Sequence, residues 1–480
     1  MVKRSQLAPI FSGALLCFLL ILMTACSSLP GSSGGNSIPT PGTGGSNNST
    51  PTPGVGGSNN STPSSGNNNP GQTVPMPQTQ TDCPATNTAR AAVMRPLALG
   101  SHQNLVYIYN EVPHNTSIAY GHLRRYDATN GQKTDVATSG IQILQAQVSS
   151  DGQWVLFLSM PDPRGGLNVV MLQLVRMDGQ GLQTLMCLPY NGPGGGQLGK
   201  PAISIQWSVD EKSILLSYDV VDYKAGKATS KITVLNVSTG ALKPIFLDQG
   251  DNLYTYSLVT WLDNTHAYII KQGTEGPTPP ATVFLMNTAT ATVANPGLVN
   301  ILTTVTRFSN YSLDSSYDGT QLYSSYCLQA ASPFNTNIQV GPAMGGARHP
   351  IFQEQPADCV QVLRAIKPHT LLLLVVVSNA TTSSTQIWTM SLPGGSMQVL
   401  TPLTSSLPGA SNQSYALNET SQFPWSNGSR DGSKYALQEV DASAQTQSIV
   451  IASLNGGKPT TIATTKPGSS SVSLAGWTTM

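Results

Sequence analysis

From about residue 95 onward, apolar and polar positions alternate in short runs, and the spacing of an amphipathic helix is almost absent. Val, Ile, Tyr and Thr interleave with polar residues, which predicts strands. The runs fall into a unit that recurs seven times. Each unit predicts a short strand, a turn, a more apolar strand, and later a third strand ending in a Gly- or Asn-rich turn. The first turns are clearest at Ser150-Asp151-Gly152, Trp207-Ser208-Val209-Asp210-Glu211, Tyr317-Asp318-Gly319 and Arg430-Asp431-Gly432. Looser versions stand at Ser101-His102, Leu262-Asp263-Asn264 and Lys367-Pro368-His369. Asp, Asn and Gly suit these places because they tolerate the positive φ of tight turns.

The first-turn anchors lie near residues 102, 151, 210, 263, 318, 368 and 431. Repetition at roughly 50–60 residues indicates a propeller or solenoid, because one unit cannot bury its apolar face alone. Third strands are predicted at His122–Tyr126, Val169–Val175, Lys231–Leu235, Ala281–Met286, Asn335–Val340, Thr385–Met390 and Gln447–Ala452. Trp207, Trp261, Tyr311 and Trp425 are read as aromatics at a matching place on the first strands. Leu371 to Val377 is continuously apolar, as expected of a strand packed on both faces. At the C-terminus, Val472 to Trp477 reads as one more aromatic-bearing first strand. A lone strand there would be an exposed edge, so it is expected to complete the first unit and close a ring.

The fold class is therefore all-β, a seven-bladed β-propeller over residues 93–480, with six or eight blades also compatible with the spacing. Trp207-Ser208-Val209-Asp210-Glu211, and Trp425-Ser426 followed by Asp431-Gly432, resemble the Trp-Ser-Pro-Asp-Gly signature of TolB-like and WD40-like propeller repeats. No copy has Pro in the signature position. The resemblance implies a structural role for Asp151, Gly152, Trp207, Asp210, Trp261, Asp318, Gly319, Trp425, Asp431, Gly432 and Trp477, and no catalytic one.

Charge narrows the function. Only 10% of the 480 residues are charged and the net charge is +1. Nothing in that balance would grip nucleic acid. At the N-terminus, Lys3 and Arg4 precede an apolar stretch from Pro9 to Met23. It is shorter than the roughly 20 residues a membrane span needs. Leu22-Met23-Thr24-Ala25-Cys26 follows and resembles the bacterial lipobox. That resemblance implies a signal peptide over residues 1–25, lipidation on the sulfur of Cys26, and an extracytoplasmic domain anchored to a bacterial membrane. Residues 26–92 are expected to form a disordered tether. No Asp, Glu, Lys or Arg occurs from Ser27 to Thr81, and a 12-residue unit repeats in tandem at Pro39 and Pro51.

Four further cysteines, Cys83, Cys187, Cys327 and Cys359, would accompany Cys26 into an oxidising compartment. Two disulfides and three connectivities are possible. The repeat pattern favours Cys327–Cys359, on the second and fourth strands of the fifth unit, with Cys83–Cys187 pinning the tether to the second. No Cys-x-x-Cys is present, and no metal or other cofactor is implied. Gly194-Gly195-Gly196-Gln197-Leu198-Gly199 has dinucleotide-loop spacing, but a strand, not a helix, is predicted after it. The six His are scattered, and Asp219 and Asp222, in a predicted loop of the third unit, with Asp162, are the densest carboxylates. The reading that follows is a monomeric, non-enzymatic module binding a protein or an envelope glycan. The rival is a propeller hydrolase or lyase acting on extracellular sugars or lactones at the channel mouth. A peptidase of the prolyl-oligopeptidase type would need a separate hydrolase domain, and none is read in the sequence.

Overall fold

A computed structural model describes residues 82–480, apart from segments 112–119, 140–141, 161–168, 190–202, 223–226, 249–253, 274–280, 304–308, 329–335, 355–357, 379–382, 394, 401–412, 419–420, 422 and 467–469. The signal peptide, Cys26, nearly all of the tether, the Gly194–Gly199 run and Asp162 lie outside the described residues.

The described residues form 28 strands in seven four-stranded antiparallel sheets. Blade 2 comprises β4 (Gln142–Val148), β5 (Trp154–Met160), β6 (Val169–Arg176) and β7 (Gln183–Pro189). Blade 3 comprises β8 (Ile203–Trp207), β9 (Ser213–Asp222), β10 (Lys227–Asn236) and β11 (Leu242–Leu247). Blade 4 holds β12 (Tyr254–Trp261), β13 (His266–Gly273), β14 (Thr282–Asn287) and β15 (Val299–Thr303). Blade 5 holds β16 (Ser309–Ser315), β17 (Gln321–Leu328), β18 (Thr336–Pro342) and β19 (His349–Glu354). Blade 6 holds β20 (Asp358–Lys367), β21 (Thr370–Ser378), β22 (Ser383–Ser391) and β23 (Ser396–Val399), and blade 7 holds β24 (Gln413–Ala416), β25 (Lys434–Asp441), β26 (Thr446–Ser453) and β27 (Thr460–Thr464). Blade 1 is composite. Its order is β28 (Ser470–Thr479), β1 (Gln103–Glu111), β2 (Tyr120–Asp127) and β3 (Lys133–Ser139).

The chain is thus a seven-bladed propeller, and its two ends meet in one sheet. Trp477 pairs with Leu105 and is fully buried. Each third strand predicted from the sequence coincides with the third strand of a blade. Ser101-His102 is not a turn between strands, however. It sits where the covalent connection is missing, and Met480 N–H donates to His102 O (3.1 Å) across the gap.

The core is divided into seven apolar clusters, one in each space between neighbouring blades. The run Leu371–Val375 supplies two of them, one from each face of β21. This explains why that strand is continuously apolar where half-exposed strands alternate.

The first turns share one local chemistry. In blades 2, 3, 5 and 7 a Ser-x-Asp triplet closes the hairpin. Ser149, Ser208, Ser316 and Ser429 donate from Oγ to Asp151, Asp210, Asp318 and Asp431 at 2.6, 2.8, 2.5 and 2.5 Å. Each Ser Oγ also accepts the backbone N–H of the residue five positions on, at 2.9–3.0 Å. The Asp carboxylate accepts an N–H two residues on, as an Asx turn does. Burial pushes the Asp210 and Asp431 carboxyls up, but these hydrogen bonds hold both below the ordinary range. The next residue must take positive φ, and Gly152, Gly319 and Gly432 do so at 74°, 70° and 66°. Glu211 adopts 61° in blade 3 despite its side chain. Its carboxylate accepts from Ser150 Oγ and from Asp151 N–H, the latter at 2.7 Å, which ties blade 3 to blade 2 and offsets the strain.

Three sequence placements change. Asp219 and Asp222 lie on β9, not in a loop. Tyr311 sits mid-strand in β16, whereas Trp207 and Trp261 end their strands. Trp425 is not on a first strand at all. It lies in a 3-10 turn, Pro424–Ser426, between β24 and β25.

Candidate functional site

The innermost strands run toward the Ser-x-Asp turns, so the ring has a turn end and an opposite end. The two are built from different chemistry.

At the turn end, the segment from Phe423 to Arg430 reaches beyond its own blade. Trp425 Nε1–H donates to Val148 O of blade 2 (2.9 Å), passing over blade 1. Phe423 stacks on Trp425 with centroids 4.5 Å apart and packs into the cluster between blades 2 and 3. Gly476 of β28 lies beneath this segment at φ 138°, and a Cβ there would stand 3.1 Å from Trp425 O. Arg430 caps the assembly. Its guanidinium lies 4.3 Å over the Trp425 ring and donates to Trp477 O (2.8 Å), Ser150 O (2.7 Å) and Ser149 O (2.7 Å). Burial pushes Arg430 down to about 10, against the pull of Asp151 and Glu211. One side chain therefore joins blade 7, the closing strand and blade 2. Trp477 Nε1–H returns a bond to Asn427 O (3.0 Å), and Thr478 Oγ1 donates to Gly152 O (2.6 Å). This end is sealed across blades 7, 1 and 2.

The same end holds a buried carboxyl near a buried guanidinium. Asp314, near the end of β16, is 1% exposed. Its Oδ2 accepts from Ala365 N–H (2.8 Å), while Oδ1 has no partner. Burial pushes its carboxyl up to about 7, even with Arg364 of blade 6 nearby. Arg364 itself donates to Asn418 O at 3.0 and 3.3 Å, linking blades 6 and 7.

At the opposite end a cavity of about 370 Å³ opens among blades 7, 1, 2 and 3. Its polar lining is Asn110, Gln142, Gln145, Gln438, Ser471 and Ser473, interleaved with apolar groups such as Leu158 and Ile203. No titratable side chain is among the described lining residues. Asn110 grips the inner edge of β4 from both sides, donating to Ile143 O and accepting from Ile143 N–H, each at 3.0 Å. It also donates to Ser471 Oγ (3.2 Å), so three strands meet on one amide. Gln145 and Gln147 both donate to Ile205 O, at 3.2 and 2.6 Å. Among the described residues no group of three or more His, Cys, Asp or Glu could hold a metal ion.

The structure sorts the residues singled out from the sequence. Asp151, Gly152, Asp210, Asp318, Gly319, Asp431 and Gly432 form the turns of the sealed end. Trp261 donates from Nε1 to Gln206 O of blade 3 (3.2 Å), whereas Trp207 Nε1 is buried without a partner. Cys83 and Cys187 are bridged. The segment after Cys83 lies along blades 2 and 3. Ala89 N–H donates to Leu185 O (2.8 Å), Ala91 N–H to Val237 O (2.7 Å) and Leu97 N–H to Gln153 Oε1 (2.9 Å). Residues 82–92, read from the sequence as the end of the tether, are bonded to the ring. Cys359 is also disulfide-bonded. It does not lie on the fourth strand of blade 5. That strand ends at Glu354, and Cys359 opens the first strand of blade 6. Cys327 is on β17, and its side chain lies outside the described residues.

The sequence reasoning missed Phe423, Asn110, Asp314 and the lining amides. It took Arg430 only as part of a turn. A signal existed for Arg430. The middle residue of the four Ser-x-Asp triplets is Ser150, Val209, Tyr317 or Arg430, and only the last is charged.

No protein-family model and no curated protein matches the chain. Solved structures do. A prolyl endopeptidase aligns over 78% of this chain at 13% identity with a TM-score of 0.50. An oligogalacturonate lyase in complex with manganese aligns over 76% of this chain and 97% of its own, at 9% identity and a TM-score of 0.45. TolB from Acinetobacter baumannii aligns over 77% of this chain and 82% of its own, at 13% identity and a TM-score of 0.40. This chain spans 50% of the prolyl endopeptidase's length. At these identities the likeness is one of fold alone.

Proposed function

We infer that the protein is a lipid-anchored, extracytoplasmic propeller that binds a protein or an envelope glycan without chemically changing it. The observation that carries this is the asymmetry of the ring. One end is latched across blades 7, 1 and 2 by Arg430 and Trp425, and the other presents a cavity of about 370 Å³ whose described lining is amides, hydroxyls and apolar groups. General acid–base catalysis needs a positioned proton donor or acceptor. Asn, Gln and Ser side chains hold and orient a ligand but do not exchange protons near neutral pH. The lipobox-like Leu22–Cys26 and the charge-free segment after it support an anchor and a tether on which such a module would search a surface.

Two measurements test the reading. Membrane fractionation of the full-length chain should place it in the membrane pellet, and Cys26→Ser should move it to the soluble fraction. The immobilised protein should retain an envelope component that elutes chemically unchanged. Steady conversion of that component into a product would overturn the reading in favour of the hydrolase or lyase.

A further inference from the structure

We propose that the segment from Cys83 to Leu97 is a strap that carries load, and that the Cys83–Cys187 bridge passes any pull on the N-terminal chain into blade 2 before it reaches β1 and the ring closure. The source of the pull, an anchor and tether, rests on the anchored-module reading. The load path itself rests on covalent and hydrogen-bond connectivity.

The order of attachment carries the argument. Coming from the N-terminal side, the chain meets Cys83 first, then the strap, and enters β1 at Gln103. The partner of β1 in the closure is β28, from the other end of the chain. No hairpin joins that pair, so a pull that reached β1 would bear on the closure itself. Cys187 sits instead on β7, which pairs with β6 in a sheet of four consecutive strands. A pull entering there meets a blade whose strands are already joined by the chain.

The strap's own grip is a row of single bonds. Thr88 Oγ1 donates to Gly240 O (2.7 Å) and Ala91 N–H to Val237 O, both on blade 3. Ala92 N–H donates to Gln183 Oε1 (3.0 Å) on blade 2, and Arg176 Nη1 to Arg95 O (2.9 Å). Thr88 and Met186 form an isolated antiparallel bridge rather than a ladder. The seat is nonetheless specific. Gly240 takes φ 73°, and a Cβ there would stand 2.8 Å from Ala89 C. Leu97 packs against the cluster between blades 1 and 2. A chain peeled from one end loads such bonds one at a time, and each is worth little net against water. A covalent S–S bond at the outer end takes the load off all of them.

The bridge also withholds length. Cys83 and Cys187 are 104 positions apart. The strap, β1, β2, β3 and most of blade 2 therefore lie inside the covalent loop and outside the load path. At full extension that is about 340–370 Å of chain that cannot be drawn out while the bridge holds.

The test is optical-tweezers stretching of the full-length chain in detergent micelles, pulled through clickable residues placed at Ser64 and at the exposed Ala294 of blade 4. The comparison is with Cys83→Ser/Cys187→Ser, which leaves the bridge at Cys359 in place. The native chain should show no step before blade 2 gives way, and its final extension should fall short of the variant's by about 340–370 Å. The variant should add an early step of at most about 70 Å, at lower force, as the strap peels back to β1. In the variant, Trp477→Ala should lower the force of the next step, and the milder Trp477→Phe should do so less. In the native chain neither should change the first step. Equal final extensions, or a variant strap that peels at no lower force than the native first step, would overturn the proposal. So would a native first step that Trp477→Phe weakens as much as it weakens the variant, because the pull would then pass through β1 despite the bridge. A full-length chain found in the soluble fraction would remove the anchor and leave this load path as it stands.

Discussion

The two ends of the ring solve opposite problems. At the turn end the protein must hold a non-covalent closure, and it uses its costly groups there: a buried guanidinium, a buried carboxyl, stacked rings and a fully buried Trp477. At the opposite end it leaves a space whose described lining is amides, hydroxyls and apolar groups. Charge in this chain is scarce, at 10% of residues. At the latched end the buried guanidinium of Arg430 and the buried carboxyl of Asp314 make titration act on stability.

The sharpest way to break this division is Trp477→Ala. The side chain is fully buried among Leu105, Tyr107 and Ile451, and its indole bonds Asn427 O. Removing a buried Trp costs about 3–5 kcal/mol through lost burial and the cavity left behind. It also weakens the sheet in which β28 pairs with β1. Chemical denaturation should show that loss, and Trp477→Phe should recover part of it. A destabilisation below about 1 kcal/mol would mean the closing strand is not what holds the ring.

Asp314 tests the assignment of titration to the sealed end. In the unfolded chain the carboxyl has its ordinary value of 3.8, and in the fold burial pushes it up to about 7. The folded state therefore keeps a proton that the unfolded state releases. Stability should fall as pH rises from about 4 to about 7 and then level off. Three pKa units set an upper bound of about 4 kcal/mol on that loss. Asp314→Asn should flatten the dependence in denaturation midpoints measured at about pH 5 and about pH 8. Arg430→Met should follow, at about 2–3 kcal/mol, because the carbonyls of Trp477, Ser149 and Ser150 lose their donor. Arg430→Lys keeps the charge but not the planar fork and should fall between.

The two ends also differ in how far the sequence discloses them. The Asp turns were legible because their bonds are local: Ser208 and Asp210 stand two residues apart, and their chemistry is written in three letters. The ring closure was legible because Val472–Trp477 would otherwise be an unpaired edge. Neither argument reaches the cavity. Asn110 meets Ile143 from 33 residues away and Ser471 from 361 away, and no spacing rule brings an Asn, three Gln and two Ser from blades 1, 2 and 7 together. Cys359 was misplaced for a related reason. The connection from Glu354 to Asp358 has no turn signature and only three intervening residues, so counting ran blade 5 into blade 6. Trp425 departs from its expected place on a first strand because it lies on the segment before Asp431 that crosses to blade 2.

The smallest expected effect separates a local turn from the latch built on one. Ser208→Ala removes a hydroxyl that donates to Asp210 and accepts from Ser213 N–H. Two local bonds with partial replacement by water give about 1 kcal/mol. Ser429→Ala removes the equivalent pair in blade 7, to Asp431 and from Lys434 N–H, but Ser429 also sets the backbone from which Arg430 departs. If the guanidinium carries the closure, loosening its turn should cost more than loosening the same turn in blade 3. The excess should vanish in an Arg430→Met background, where nothing is left for the turn to aim. Equal losses from Ser208→Ala and Ser429→Ala in the native background would show that the blade 7 turn is one Ser-x-Asp turn among four, and that Arg430 holds its place through Trp425 and the carbonyls alone.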